Sequence, residues 1–240
     1  MAASGSPAAG SAVKRERGWD PARRAQDPAE FPARLREIAR GYNKFRRMSR
    51  YLLVGPADCA DPHLLRKGAE PAPEDMPYPP PRISRSGDGG THGDKLYYLF
   101  VADYESYPEG SAATPGARSP AGQALVKEAW LPEEVPADTP IEPQDPSQPV
   151  RYFKDGSRLY FAAKKAGLFI MYKLDPKNPG TDEGWVYGTV TADASTVTSS
   201  GRVEACMNCH EKAPFDRLFG SPPRAAAGSA SPASSAPKAP

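Results

Sequence analysis

The chain has 240 residues, of which 39% are hydrophobic and 25% are charged, and its formal net charge is +2. Its length permits one good-sized domain or two small ones. No apolar run is long enough for a membrane-spanning helix, so we expect no membrane span. The first fifty residues hold 12 Lys or Arg against 5 Asp or Glu, but without the interleaved aromatic residues of a single-strand binder. We therefore expect no nucleic-acid partner.

Both ends of the sequence differ in composition from the middle. Residues 1–28 are rich in Ala, Ser, Gly, Pro and Arg, and residues 221–240 contain no large apolar side chain. Such segments bury too little apolar surface to offset the entropy of ordering them. The sequence predicts a disordered N-terminal arm (1–28), a single domain (29–220) and a disordered tail (221–240). Prolines concentrated in 71–82 and 132–149 predict loops there.

The first periodic element is an amphipathic stretch over residues 29–53. Its apolar side chains recur at spacings of three and four, which is typical of one face of a helix; they are Phe31, Leu35, Ile38, Tyr42 and Phe45. Because Pro32 would collide with a preceding helical turn, we place the start of the helix near Pro32.

From Lys95 onward the pattern favours strands. The segments are rich in aromatic and β-branched residues and are bounded by Gly, Pro, Asp or Asn; they are 95–102, 123–130, 158–163, 168–174 and 184–190. Short turns such as 164–167 and 175–184 favour antiparallel neighbours. The predicted fold class is therefore α+β, with a mainly antiparallel sheet, an N-terminal helix and a C-terminal C-x-x-C-H segment.

That C-terminal segment is Cys206-Met207-Asn208-Cys209-His210. C-x-x-C-H is the motif of c-type haem attachment. Two thiols three residues apart in a helical turn lie on one side of it, where each is able to add to one vinyl group of a porphyrin. The adjoining imidazole then serves as the proximal iron ligand. We predict one covalent haem c, anchored by Cys206 and Cys209, with His210 as the metal ligand.

Other interpretations of these cysteines remain open. A zinc site could combine Cys206 and Cys209 with Cys59 and His63, a second pair at C-x₃-H spacing. A thioredoxin-type motif would need a βαβ context, which the predicted strands do not provide. No sixth iron ligand is evident, although Met48, Met76 and Met171 are present. A six-coordinate electron-transfer cytochrome is thus an alternative to an iron with an open position.

The order of the parts resembles the cytochrome P-460 family, which includes the sheet-rich cytochromes c-prime-beta. An aromatic helix is followed by a proline-rich loop, strands, the sequence Val126-Lys127-Glu128, the C-x-x-C-H motif and Asp216-Arg217-Leu218-Phe219. The resemblance covers roughly residues 34–220. The chain departs from the family in the segments 108–122 and 131–149, so the pocket entrance and the substrate do not follow from the resemblance.

The resemblance implies a mono-haem, mainly antiparallel β cytochrome, usually dimeric, with no fixed sixth protein ligand. It implies binding or oxidation of a small nitrogen compound, such as hydroxylamine or nitric oxide, and a redox partner protein. In the hydroxylamine-oxidising members the lysine of V-K-E is bonded to the porphyrin, and Lys127 is the matching position. From alternation alone, Lys127 shares a face with Leu125 and Ala129 and points either into a pocket or to a sheet edge.

The resemblance also implies a periplasmic or other extracytoplasmic location, where thiols meet haem during c-type maturation. Residues 1–30 contain no apolar export segment. We give the C-x-x-C-H motif more weight and expect an extracytoplasmic protein. Tyr98 and Phe100 are considered as pocket aromatics, with packing in the core as the alternative.

Overall fold

A computed structural model describes residues 26–48, 53–54, 95–108, 116–141, 148–155 and 157–220, with the backbone alone at 53–54 and 155. In this part of the chain the helices are α1 (Phe31–Gly41) and α2 (Glu204–His210), and the strands are β1 (Arg46–Arg47), β2 (Leu53–Val54), β3 (Leu96–Val101), β4 (Ala124–Val135), β5 (Tyr152–Asp155), β6 (Arg158–Lys173), β7 (Trp185–Val190) and β8 (Val197–Gly201). None of these helices is long and apolar enough to cross a membrane.

The strands form one sheet in the order β1-β3-β4-β6-β7-β8, with β2 also on β3 and β5 also on β6. Every pairing is antiparallel. The fully described connections, 174–184 between β6 and β7 and 191–196 between β7 and β8, contain no helix, as expected where consecutive strands pair antiparallel. The fold is therefore α+β with a mostly antiparallel sheet.

The α1 helix begins at Phe31, directly after a short 3₁₀ turn at Pro28–Glu30 that Asp27 caps. Pro32 lies in the first helical turn, where a missing N–H removes no intrahelical hydrogen bond. The α-helix ends at Gly41, and a 3₁₀ turn follows at Tyr42–Lys44. The helix is therefore shorter than the amphipathic stretch 29–53.

The folded part of the chain begins before the boundary predicted at residue 29. Gln26 is buried; its backbone N–H donates to Asn178 Oδ1 at 2.8 Å, and its side-chain carbonyl accepts from the Tyr172 hydroxyl at 2.9 Å. These hydrogen bonds join residues more than 140 positions apart, so Gln26 belongs to the domain rather than to the predicted arm. Residues 1–25, the predicted loop 71–82 and the tail 221–240 lie outside the described residues.

One predicted turn is wrong. The segment 164–167 lies inside the single strand β6, where the sequence predicted two strands joined by a turn. The long β4 strand pairs with β6 throughout, and register shifts at Ala129/Trp130 and Leu131/Pro132 absorb the irregular residues. Such bulges allow a strand to continue through a Gly-containing segment whose local sequence predicts a turn.

The predicted loop 132–149 also begins too early, because β4 continues to Val135. Pro132 is tolerated there for two reasons. It follows a register shift. The pairing of β3 with β4 ends at Leu96↔Trp130, so among the described strands this end of β4 pairs with β6 alone. Proline is found in sheets at bulges and on edges, where its missing N–H is not required by a ladder.

The two faces of the sheet carry different layers. On the first face, α1 packs against the central strands through the buried side chains Phe31, Leu35, Ile38, Val126, Ile170, Tyr172 and Val186. The contact is close at Gly188, where a Cβ atom would lie 2.3 Å from Leu35 Cδ1. Only glycine permits this approach of helix and sheet.

The second face is covered in part by α2 and the residues that follow it. Its buried side chains are Leu99, Val101, Tyr107, Leu125, Met171, Trp185, Tyr187, Phe215 and Leu218. Val203, Cys206 and Met207 pack against this cluster from the α2 side. The C-x-x-C-H segment therefore lies on the face opposite to α1.

Candidate functional site

All three residues of the predicted attachment motif lie in α2. The helix has seven residues and no side-chain cap at Val203, so its intrinsic stability is low. Packing of Cys206 and Met207 on the second face of the sheet holds it in place. His210, the last residue of α2, is its buried residue.

The His210 ring is held in one orientation. Its Nδ1 lies 2.6 Å from the carbonyl oxygen of Arg217, and the ring packs between Tyr187 and Phe219 at centroid distances of 5.6 and 5.5 Å. Because a carbonyl only accepts, Nδ1 carries the proton and donates it. The lone pair of a neutral ring is then on Nε2, which has no hydrogen-bond partner among the described residues.

Electrostatics keep His210 neutral. Burial lowers the pKa of His210 to about 4, and the positive charge of Lys127 acts in the same direction. A neutral imidazole with its Nδ1 proton bonded to a backbone carbonyl is the form in which histidine binds a metal through Nε2. His210 thus has the tautomer and the protonation state of a metal ligand.

Lys127 lies on the same face and is half-buried. Its Nζ lies 4.7 Å from the centre of the Tyr97 ring, and the described residues offer it no ion pair or hydrogen bond. Burial lowers the pKa of Lys127 to about 8, while Cys206 acts in the opposite direction. An amine that is desolvated and unpaired costs stability, which marks it as a candidate functional group.

The register of the sheet places Lys127 in an open row of side chains. Leu99, Lys127, Phe169 and Thr189 follow one another across β3, β4, β6 and β7. The adjacent row (Val101, Leu125, Met171 and Tyr187) is buried beneath α2 and the segment after it. In the open row, Lys127, Phe169 and Thr189 are only half-buried.

We call the open row, together with the Tyr97 ring beside Lys127, the cleft, as a name for this half-buried surface. Tyr97 and Lys127 both retain accessible surface, yet burial raises the pKa of Tyr97 to about 12 and lowers that of Lys127. Neighbouring protein therefore desolvates both polar groups, although neither side chain is fully buried. This cleft lies beside Cys206, whose pKa burial raises to about 11 while Lys127 acts to lower it.

The two cysteines differ in state. Cys206 is a free, half-buried thiol, and its raised pKa keeps it protonated at neutral pH. Cys209 takes part in a disulfide. The same sulfur does not form both a disulfide and a thioether, so haem attachment at Cys209 requires prior reduction.

Two aromatic residues considered for the pocket lie on the other face. Tyr98 packs with Leu96 and Phe153, and its hydroxyl donates to the Val150 carbonyl at 2.6 Å. Phe100 contacts Tyr42 edge to face at 4.9 Å. Core packing, the alternative stated above, is therefore the role of both residues.

Sequence reasoning missed Tyr97 and Phe169, the aromatic residues that lie beside Lys127. Alternation within β3 separates Tyr97 from Tyr98, but it does not say which of the two shares a face with Lys127. The pairings Tyr97↔Ala129 and Lys127↔Phe169 supply that information. An explicit comparison of strand registers around V-K-E is the signal that would have identified both.

The structure describes some of the remaining candidate metal ligands but not all of them. Met48 packs against the α2-side cluster, whereas Met171 is buried in the covered row. No group of three His, Cys, Asp or Glu side chains within the described ranges is arranged to hold a metal ion. Three members of the alternative sets, Cys59, His63 and Met76, lie outside the described residues.

The donor atoms on this face are of the kind that would hold a haem covalently. A neutral imidazole with an unpartnered Nε2 among the described residues, a thiol one turn before it and a half-buried row that contains Lys127 and Phe169 occur together on one face. The disulfide at Cys209 is compatible with this only after reduction. No protein-family model matches the sequence, and a search of curated proteins finds no significant match.

Proposed function

We propose that this protein is a mono-haem c-type cytochrome of the P-460 kind, in which iron binds a small nitrogen compound or gas at an open position. The observation that carries the proposal is the state of His210: neutral, with Nδ1 bonded to the Arg217 carbonyl and Nε2 without a hydrogen-bond partner among the described residues. C-x-x-C-H supplies the matching anchors, Cys206 and Cys209.

The roles of the residues follow from their positions. Cys206 and Cys209 hold the porphyrin covalently, and His210 binds iron from the proximal side. Bound haem supplies the redox chemistry and the coordination position, while the chain supplies orientation and local polarity. Phe169 and Tyr97 provide apolar and aromatic surface along the cleft, which limits the access of water.

Lys127 is the residue that distinguishes the possible activities. Its amine is unpaired within the described residues and titrates near neutrality, since burial lowers its pKa to about 8. A neutral amine is a nucleophile, so Lys127 suits the porphyrin bond found in hydroxylamine-oxidising members. Forming that bond breaks one N–H and one ring C–H bond and releases two protons and two electrons, which an external oxidant such as a peroxide would have to accept. Without that bond, the amine remains a polar group near the haem, and the protein would then resemble the nitric-oxide-binding members, which lack the bond.

Mass measurement tests haem attachment directly. Full-length chain made in a host with c-type maturation is expected to exceed the apoprotein mass by one haem and to retain that mass after denaturation. The double variant Cys206→Ser/Cys209→Ser is the matched control and is expected to show no increase. An unshifted wild-type mass under reducing maturation conditions contradicts the proposal, and zinc with a colourless protein would support the zinc-stabilised alternative.

The role of Lys127 is tested in the same preparation. If Lys127 is bonded to the ring, digestion leaves its peptide on the haem and the optical bands shift relative to an ordinary haem c. Lys127→Arg keeps the charge without forming the same bond and is expected to restore ordinary bands. Identical spectra for wild type and Lys127→Arg restrict the proposal to binding of nitric oxide or a similar gas.

A six-coordinate electron carrier is the second candidate, and the position of Met48 favours it. Met48 is half-buried on the α2 side of the sheet, and its backbone N–H donates to the Leu99 carbonyl at 2.8 Å. A thioether ligand raises the potential of a haem iron. Low-spin bands that become high-spin in Met48→Leu support electron transfer, whereas high-spin bands in the wild type support an open iron position.

We also propose an extracytoplasmic location, a redox partner protein and a homodimer. The motif supports the location because thioether formation normally takes place outside the cytoplasm. Fractionation of the cells that produce the protein naturally tests the location. Light scattering of the mature protein tests the dimer.

A further inference from the structure

The chain segment after α2 makes an unusual turn. Phe215 and Leu218 exchange backbone hydrogen bonds at 3.1 and 3.0 Å, and the two residues between them, Asp216 and Arg217, have φ angles of +50° and +71°. A two-residue turn with both central φ angles positive favours Asn and Gly. Arginine is disfavoured there, so contacts elsewhere must hold this turn in place.

Asp216 is fixed by three elements of the fold. Its carboxylate accepts from Lys173 Nζ at 2.9 and 3.1 Å and from the Ser119 backbone N–H at 2.9 Å. Its backbone carbonyl accepts from Trp185 Nε1 at 2.7 Å. The Lys173 and Asp216 side chains are only 1% and 3% exposed, so little solvent competes for these bonds.

Arg217 is fixed by a two-point contact. Its Nε and Nη2 donate to the two carboxylate oxygens of Asp182 at 2.8 and 2.9 Å. The hydroxyl of Tyr187 donates to the same carboxylate at 2.9 Å. A bidentate arginine–carboxylate pair fixes direction as well as distance, so Asp182 determines where the backbone of Arg217 lies.

The backbone of Arg217 is the part that reaches His210. Its carbonyl oxygen lies 2.6 Å from Nδ1, and the Tyr187 ring, tied to the same Asp182, packs 5.6 Å from the imidazole. One carboxylate therefore controls two contacts of His210. Removing the Asp182 carboxylate is expected to weaken the contacts of His210 with both the Arg217 carbonyl and the Tyr187 ring.

We propose that Asp182 and Arg217 are positioning residues that fix His210 in the Nδ1–H tautomer and so leave the lone pair on its Nε2. The use of that tautomer for iron rests on the proposed function, but the tautomer is a property of the protein alone. Outer hydrogen-bond partners of this kind orient a metal-binding histidine and increase its basicity. The pair acts on iron only through His210.

Nitrogen NMR of the full-length, haem-free chain tests the tautomer. The chain has three histidines, so His210→Gln assigns the signal. Wild-type His210 is expected to show the Nδ1–H form, and Asp182→Asn is expected to shift the tautomer ratio about five-fold toward Nε2–H, the effect of losing one ordinary hydrogen bond. An unchanged ratio in Asp182→Asn, or a wild-type Nε2–H form, overturns the proposal.

Two further variants guard against a general loss of structure. Arg217→Gly removes the guanidinium at a position where glycine accepts the positive φ, so the turn is preserved while the contact with Asp182 is lost. It is expected to shift the ratio in the same direction. Arg158→Lys disturbs another bidentate pair, with Glu134, far from α2 in the chain, and is expected to leave His210 unchanged; an equal shift there contradicts the proposal.

The mature protein provides a second measurement. A weaker carbonyl contact makes His210 a poorer donor to iron, so Asp182→Asn is expected to lower the iron–histidine stretching frequency and raise the reduction potential relative to wild type and Arg158→Lys. Unchanged values in both measurements argue against a positioning role. If no haem is attached, the proposed function fails, while the NMR measurement still decides the tautomer.

Discussion

The two faces of the sheet differ in how completely their side chains are buried. On the α1 face, packing is so close that Gly188 leaves no room for a methyl group beneath Leu35. On the α2 face, one row of side chains is buried, while the next, containing Lys127 and Phe169, stays half-buried. The first face is closed by close packing, whereas the second leaves Lys127 and Phe169 accessible, as the ligand site that we propose requires.

Two lysines on the α2 face, Lys173 and Lys127, differ in burial and in their partners. Lys173 is buried and bonded to Asp216, whereas the amine of Lys127 lies over the Tyr97 ring and has no ion pair with any described carboxylate. Burial lowers the pKa of both lysines, but Asp216 opposes the effect at Lys173. The ion pair with Asp216 compensates the burial of Lys173, which we regard as a structural residue. Lys127 has no such pair among the described residues, and we assign it to the cleft.

The largest expected effect is at Lys173. Lys173→Met leaves Asp216 buried without its cation, and breaking a buried pair in this way costs about 4 kcal/mol. The free energy of unfolding from urea titration of the haem-free chain measures it. Lys177→Met, at an exposed position, is the control, and a difference below about 1 kcal/mol between the two variants would show that the pair contributes little.

The next effect tests the α1 face. Leu35 is fully buried against Gly188, so Leu35→Ala is expected to cost about 3 kcal/mol through lost transfer energy and the cavity left behind. Leu131→Ala removes the same atoms from a side chain that is 42% exposed and is expected to change stability little. Equal losses in the same urea titration would refute the assignment of Leu35 to the stabilising core.

A smaller effect is expected on the open row. Phe169→Ala deletes more atoms than Leu35→Ala, but Phe169 is only half-buried, so we expect a cost of about 1–2 kcal/mol, below the usual range for a core phenylalanine. In the mature protein the same change is expected to alter the haem spectrum, whereas Leu35→Ala is not. A larger loss of stability for Phe169→Ala than for Leu35→Ala would reverse the roles of the two faces.

Most of the fold class was accessible from local patterns. Alternation and aromatic content marked β3, β4 and β7 to within a few residues at most of their ends, and the antiparallel arrangement followed from the lack of helices between strands. The continuous β6 was not predictable, because its path through 164–167 depends on bulged pairing with β4. That is a tertiary effect with no local signal.

The site was accessible only in part. The motif identified Cys206, Cys209 and His210 by spacing, and alternation placed Lys127 with Leu125. The sequence did not reveal that the backbone carbonyl of Arg217, seven residues beyond His210, accepts a hydrogen bond from the His210 ring. This contact depends on a turn whose positive φ angles are held by Asp182 and Lys173, residues distant in sequence.

The smallest expected effect has the opposite sign and concerns Lys127. Lys127→Met removes a desolvated, unpaired amine, so the haem-free chain is expected to become more stable at neutral pH by about 1 kcal/mol, discounted for the partial exposure of the side chain. A loss of stability would mean that Lys127 has a structural partner. Lys164→Met, at an exposed position, is the control.

The pH dependence sharpens this last test. The pKa of Lys127 is about 8 in the folded chain against an ordinary value of 10.5, so between these values the unfolded chain binds more protons and stability rises with pH. Lys127→Met lacks this contribution. Its advantage over wild type is therefore expected to be largest below pH 8 and to vanish as the pH approaches 10.5; an advantage independent of pH would trace the gain to packing instead of charge.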